Sequence, residues 1–271
     1  MTPAAVTPRS KPFSPHPSGG PVPAAVPPPW RTVVISPHFD DAALSLAGLL
    51  PALPGPLAVV TVHGGAPAPG LPVSGWDALC GFGSAREAYE ARRSEDARSC
   101  ALLGAEQVLI DHPDGPYVRE GDEPAGLDPL LRSLAPGTRV LVPLATNQPD
   151  HEAVRLRAQR VLAEAGAPEP WVYADLPYTG HLPEWGTPGA SAALAASEKW
   201  GTAYQRLDRT HRLTVRHELT LSDEQWAAKR EAVLCHASQL AALAPAHGAF
   251  LDREGPLRTE LIWSAEPRAT A

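Results

Sequence analysis

Short apolar runs rich in β-branched residues recur along this chain, and stretches with helical spacing separate them. The runs at 32–36, 57–62, 107–110, 139–143 and 171–173 each read as a strand buried on both faces. The stretches at 42–50, 84–103 and 149–165 read as the intervening helices. Ser84 is placed to cap the second helix, with Glu87 at the capping-box position and Gly104 as its stop. Residues 211–221 alternate through Leu213, Val215, His217 and Leu219, the mark of a half-exposed strand near a sheet edge. A last amphipathic helix is expected over 222–243, capped by Ser222. Strands alternating with helices imply right-handed crossovers, so the expected fold is α/β, a Rossmann-like, mainly parallel sheet with helices on both faces. In such a sheet, ligands bind beyond the carboxyl ends of the strands, and reactive residues should follow strands.

Two loops meet that expectation. Pro37-His38-Phe39-Asp40-Asp41 follows the first strand, and Asn147-Gln148-Pro149-Asp150-His151 follows the fourth. His38 and Asp41, three apart at a strand-to-helix junction, face one side of an opening turn. With His151 they make a two-histidine, one-carboxylate set that leaves positions open for water, as in catalytic zinc sites. Such a set also suits Fe²⁺ or another first-row ion. Asp40 would lie beside the activated water and could take its proton. Either motif alone reads equally well as helix capping; their joint occurrence after two parallel strands argues for a metal.

Composition narrows the alternatives. The chain has 271 residues and a formal net charge of −7, from 23 basic and 30 acidic side chains. An acidic chain of this kind is a poor candidate for coating duplex nucleic acid, which needs a cationic face. No apolar run is long enough to span a bilayer, and the three cysteines, odd in number and far apart, argue for a reducing, cytoplasmic setting. Of its 32 prolines, ten fall in the first 29 residues, so 1–29 is expected to be a disordered tail ahead of one hydrolase domain over 30–265.

The two motifs resemble those of the LmbE/PIG-L family of metal-dependent N-deacetylases, PHPDDE and HPDH. Arg92-Arg93-Ser94-Glu95 with Leu103-Gly104, the strand and acidic loop at 109–114, and Lys229 with His236-Ala237-Ser238-Gln239 extend the likeness. It implies zinc-dependent hydrolysis of an N-acyl group, commonly acetate from N-acetylglucosamine. By position it makes His38, Asp41 and His151 the metal ligands and Asp40 the general base. Arg92, Asp114 and His236 become candidates for holding substrate. Ala42 replaces the family's glutamate, as in a natural-product branch (PHxDDAxLS). Gln148 replaces the first histidine of HPDH. A glutamine can donate a hydrogen bond to an oxyanion but cannot deliver a proton. Asp40 or another histidine must then serve as acid, with His63, after the second strand and beside Gly64-Gly65, the first candidate. A thiol-conjugate amidase and a non-catalytic binding descendant are the competing readings. The substrate is a small molecule in all three; no nucleic-acid or membrane partner is expected. Residues 177–200, rich in glycine and proline, read as a long loop or lid. Trp76, Trp171, Trp185 and Trp200 are either ligand-stacking faces or loop anchors.

Overall fold

The computed structural model describes residues 29–119 and 121–268. Apart from Pro29, the proline-rich segment therefore lies outside the described residues.

Strands β1 (Thr32–Ser36), β2 (Leu57–Thr61), β3 (Ala105–Leu109), β4 (Arg139–Pro143) and β5 (Trp171–Tyr173) pair in parallel in the order β3-β2-β1-β4-β5. Strand β7 (Thr259–Pro267) adds antiparallel to β5, and β6 (His211–Thr220) closes that edge antiparallel to β7. The sheet is thus mainly parallel, and β6 is the edge strand its alternation suggested, with a bulge between Val215 and His217. Strand order reverses at β1, so the loops after β1 and β4 flank the topological switch point where ligands bind.

Alternate residues of each central strand feed opposite cores. Val33, Ile35, Ala58 and Val60 pack under helices α4 (Leu127–Arg132), α5 (Pro149–Glu164) and α7 (Thr202–Thr210). Val34 and Val59 pack on the other face with α1 (Asp41–Leu46), α3 (Ala85–Leu102) and α8 (Asp223–Leu234). Ser84 caps α3 as expected, but Glu87 reaches back to the Gly83 amide, one residue earlier than a capping box requires.

Three expectations need correction. The helix expected over 222–243 is two helices, α8 and α9 (Ala237–His247), broken at Cys235-His236. The Glu95 carboxylate accepts from the Ser238 amide and hydroxyl at 3.0 and 2.7 Å, which anchors the new helix start. The helix expected over 42–50 ends at Leu46, and a 3₁₀ turn, Leu50–Ala52, follows. Residues 177–200 are not a bare loop but contain a 3₁₀ turn, Thr179–His181, and helix α6 (Ala190–Ala196). Trp185 and Trp200 pack against the core there. Among the described residues, no helix is long and apolar enough to cross a membrane. All three cysteines are free.

Asp96 on α3 offers a pH test of this packing. Burial pushes its carboxyl up to about 6, against the partial offset of hydrogen bonds from Gln107, Cys100 and Thr61. The protonated form is therefore the one folding favours. Its stabilising contribution is complete below pH 4 and is lost as pH rises through 6. Asp96→Asn should add about 2 kcal/mol above pH 7 and nothing at pH 4, checked by urea unfolding at both values.

Candidate active site

The β1 carboxyl end builds the first half of the site. Ser36 Oγ donates to the His38 carbonyl and accepts from the Ala42 amide, tightening the turn into α1. The Asp41 carboxylate accepts from the His38 amide at 2.8 Å. Asp40 stands at the N-cap, but its side chain makes no cap bond.

The second half comes from the β4 loop. Ala145 and Asn147 both take left-handed backbone conformations, φ 71° and 56°, sparsely populated for residues with a side chain. These turns bring Gln148 to the start of α5 and His151 into its first turn.

The expected triad meets. His38 Nδ1 lies 3.2 Å from Asp41 Oδ2 and 3.3 Å from His151 Nε2, and His151 Nε2 lies 3.4 Å from Asp41 Oδ2. Ligands about 2.0–2.1 Å from one tetrahedral centre are separated by about 3.3–3.4 Å, so the three atoms fit one face of a tetrahedral site. A second grouping, His38, Asp150 and His151, also has ligand atoms within 4.8 Å of one another. The triad is the better fit. In it both imidazoles turn one nitrogen to a single carboxylate oxygen, whereas Asp150 Oδ2 faces the other His38 nitrogen, Nε2, at 3.1 Å.

Electrostatics favour a cation. Asp40, Asp41, Asp114, Asp150 and Asp175 crowd the two imidazoles. Burial lowers the His38 pKa, but hydrogen bonds to Asp114, Asp150 and Asp41 outweigh it and hold the ring well above its ordinary value. For His151 burial is likewise overcome, here by Asp41 and Asp175. Burial, then the Asp41 charge, push Asp40 up to about 6. Buried carboxylates in this excess require a compensating positive charge, which a divalent ion supplies.

The remaining expected residues divide. Asp40, His63, Arg92, Asp114 and Gln148 line one cavity of about 370 Å³ with His38. Arg92 is held by an ion pair to buried Asp77 and lies 3.6 Å from Asp114. Asp114 Oδ1 is 3.5 Å from His38 Nε2. Burial, then the His38 charge, lower His63 to about 4. Its ring is therefore neutral at pH 7 and holds no surplus proton to give as an acid. A Cβ on Gly65 would lie 2.4 Å from the His112 amide nitrogen, so its lack of a side chain lets two backbone segments pack. His236 does not reach the cavity. It is 1% exposed at the α8–α9 break, and neither ring nitrogen has a partner among the described residues.

Sequence reasoning missed Asp175, Tyr178 and His247. Asp175 follows β5 and accepts from, or shares a proton with, His151 Nδ1 at 3.0 Å. Its other oxygen accepts from the Thr146 amide. This bond orients the imidazole so that Nε2 faces His38 and Asp41. Tyr178 stands edge-on to both His151 and His247 and lines the cavity. Asp175 follows a strand, the one signal that could have found it; Tyr178 and His247 carry no motif.

Residues 33–162 match the family model described as GlcNAc-PI de-N-acetylase, PIG-L. The chain carries a PIG-L/LmbE domain. Solved structures agree on the fold. A deacetylase triple mutant of the teicoplanin biosynthetic pathway (Orf2*T) is 23% identical with a TM-score of 0.66, covering 89% of this chain and 100% of that one. The A40926 pseudoaglycone deacetylase Dbv21 is 25% identical with a TM-score of 0.63, covering 89% and 99%. The zinc-inhibited form of teicoplanin deacetylase Orf2 is 21% identical with a TM-score of 0.65, covering 89% and 100%. No match is found among curated proteins. Both expected motifs of the PIG-L/LmbE domain, 37–41 and 148–151, fall inside the matched residues.

Proposed function

We propose that this PIG-L/LmbE protein is a metal-dependent hydrolase of an amide C–N bond, an N-deacetylase of an N-acetylated sugar or sugar-bearing small molecule. The observation that carries this reading is the meeting of His38, Asp41 and His151 within 3.2–3.4 Å, with Asp40 one residue away on the cavity wall. The solved structures named above are deacetylases, of the teicoplanin biosynthetic pathway or of the A40926 pseudoaglycone, which supports removal of an acetyl group from a small molecule.

His38, Asp41 and His151 would hold the ion, zinc or another first-row divalent metal. Such an ion supplies Lewis acidity, acidifying water and polarising the acyl carbonyl. Asp40 takes the proton from the attacking water. Its carboxyl, raised to about 6, can hold that proton and return it to the leaving amine. Gln148 makes no cap bond with its side chain, which leaves its NH₂ free to donate to the developing oxyanion. Arg92 and Asp114 bind hydroxyls of the substrate. Asp175 is a positioning residue that acts through His151.

Metal-loaded protein should release free amine from a panel of N-acetylated sugars, and chelation should abolish the release. No amine from any member, with metal bound, would contradict the reading and favour a binding protein. Gln148→His should preserve or raise kcat, because it restores a donor that can also give a proton. A collapse of kcat with the metal still bound would mean the carboxamide has a role that imidazole cannot fill.

A further inference from the structure

His63 lines the cavity, yet the proposed reaction leaves it unused. Three contacts fix its place. Its amide donates to the Pro37 carbonyl at 2.9 Å, which ties the residues after β2 to the loop after β1. Its ring stacks on the His38 ring, with centroids 5.1 Å apart and planes inclined by 19°. Two residues on, the Gly65 amide donates to the His112 carbonyl at 2.9 Å, which holds this turn against the segment that carries Pro113.

The ring's own hydrogen bond sets its tautomer. Nδ1 lies 3.3 Å from the Pro113 carbonyl oxygen. A carbonyl only accepts, so Nδ1 carries the hydrogen, and in the neutral imidazole Nε2 then bears a lone pair. Among the described residues Nε2 has no hydrogen-bond partner. His38 differs, because its Nε2 faces the Asp114 and Asp150 carboxylates at 3.5 and 3.1 Å, whereas no carboxylate among the described residues forms an ion pair with His63. His63 thus adds a neutral acceptor to a wall where the neighbouring acceptors, Asp40 and Asp114, are carboxylates. A half-buried lone pair left without a donor costs free energy, so a site built this way rejects ligands that lack the donor.

We propose that His63 is a specificity-determining residue: its Nε2 accepts a hydrogen bond from a hydroxyl of the substrate, and the protein thereby prefers hydroxylated N-acyl amines to similar ones that lack this hydroxyl. This rests on the hydrolase reading for the word substrate, but acceptance of the hydroxyl is a binding property and is tested apart from turnover. The role is distinct from those of Asp40 and Gln148, because His63 exchanges no proton with the reacting atoms.

Nitrogen spectra and kinetics test it. In long-range proton–nitrogen correlation spectra of the zinc-loaded full chain, His63 should show a protonated Nδ1 and a bare Nε2. Glucosamine should shift the Nε2 resonance, and cyclohexylamine, which has a ring and an amine but no hydroxyl, should not. A proton on Nε2, or an equal response to both amines, would overturn the proposal. In kinetics, N-acetylglucosamine is compared with deoxy forms that each lack one hydroxyl. The unaltered protein should lose about tenfold or more in kcat/KM on one of them. His63→Phe keeps a ring against His38 but offers no acceptor. It should show that loss already on N-acetylglucosamine and none beyond it on the same deoxy sugar, with metal content unchanged. An equal loss on every sugar, the mark of a merely structural role, would overturn the proposal. Failure of amine release from all N-acetylated sugars would overturn the hydrolase reading instead and leave the nitrogen spectra to decide the acceptor.

Discussion

Asp40→Asn is expected to lower kcat on an N-acetylated sugar by about 10²–10⁴-fold while the protein keeps its metal. Asp40 occupies the N-cap of α1, the position where aspartate ordinarily serves the helix, yet it makes no cap bond. Its carboxylate faces the cavity beside His38 and Gln148. Asparagine matches its shape, leaves the helix start unchanged and cannot accept a proton. In the proposed mechanism both halves of the proton transfer pass through this group, so loss should appear in kcat with KM little changed. Steady-state kinetics with parallel metal analysis checks this. A variant that retains more than a tenth of its kcat would remove Asp40 from the reaction.

Asp41→Asn is expected to weaken metal binding more than about a hundredfold, whereas Asp150→Asn should retain the metal. Orienting groups behind a ligand cost about 10–100-fold when removed, and a ligand itself costs more. Asp41 is the junction of the triad: one oxygen, Oδ2, faces both imidazoles and accepts the His38 amide. Asparagine can still accept that amide bond, so the turn should hold while the charge is lost. Asp150 instead faces His38 Nε2. Burial, which raises the Asp150 carboxyl, is outweighed by the His38 hydrogen bond and charge, so its pKa is lowered. Its removal should alter the tautomer preference of His38 without opening the coordination set. Competition with a chromophoric chelator measures both affinities. The reverse ranking would move the metal to the His38, Asp150 and His151 grouping.

The parts of this architecture that were legible in the sequence are those where a local pattern and a tertiary role coincide. Strands β4 and β5 have the expected bounds because a strand buried between helices must be apolar throughout. The meeting of His38, Asp41 and His151 was legible because all three lie in segments that follow strands. Strand β7 was missed because its apolar run, Leu261-Ile262-Trp263, is short and begins directly after the charged Glu260. That charge is neutralised by Lys229, 2.7 Å away on α8, and by the Gly48 and Leu49 amides, partners remote in the chain. The split between α8 and α9 was hidden because the residues around it suit a helix. The start of α9 is held by Glu95 on α3, a contact that local pattern cannot reveal. His236 was read as a cavity residue from its motif, and that same break buries it. The far wall of the cavity is likewise assembled from α2 (Gly75–Leu79), the turn at Gly115–Tyr117 and α9, none of which announces a shared wall.

Crystals grown with zinc and measured at the zinc absorption edge would locate the bound ion. One anomalous peak per chain is expected, bounded by His38 Nδ1, Asp41 Oδ2 and His151 Nε2. A peak on the Nε2 side of His38, between Asp114 and Asp150, or no peak at all with zinc in excess, would contradict it.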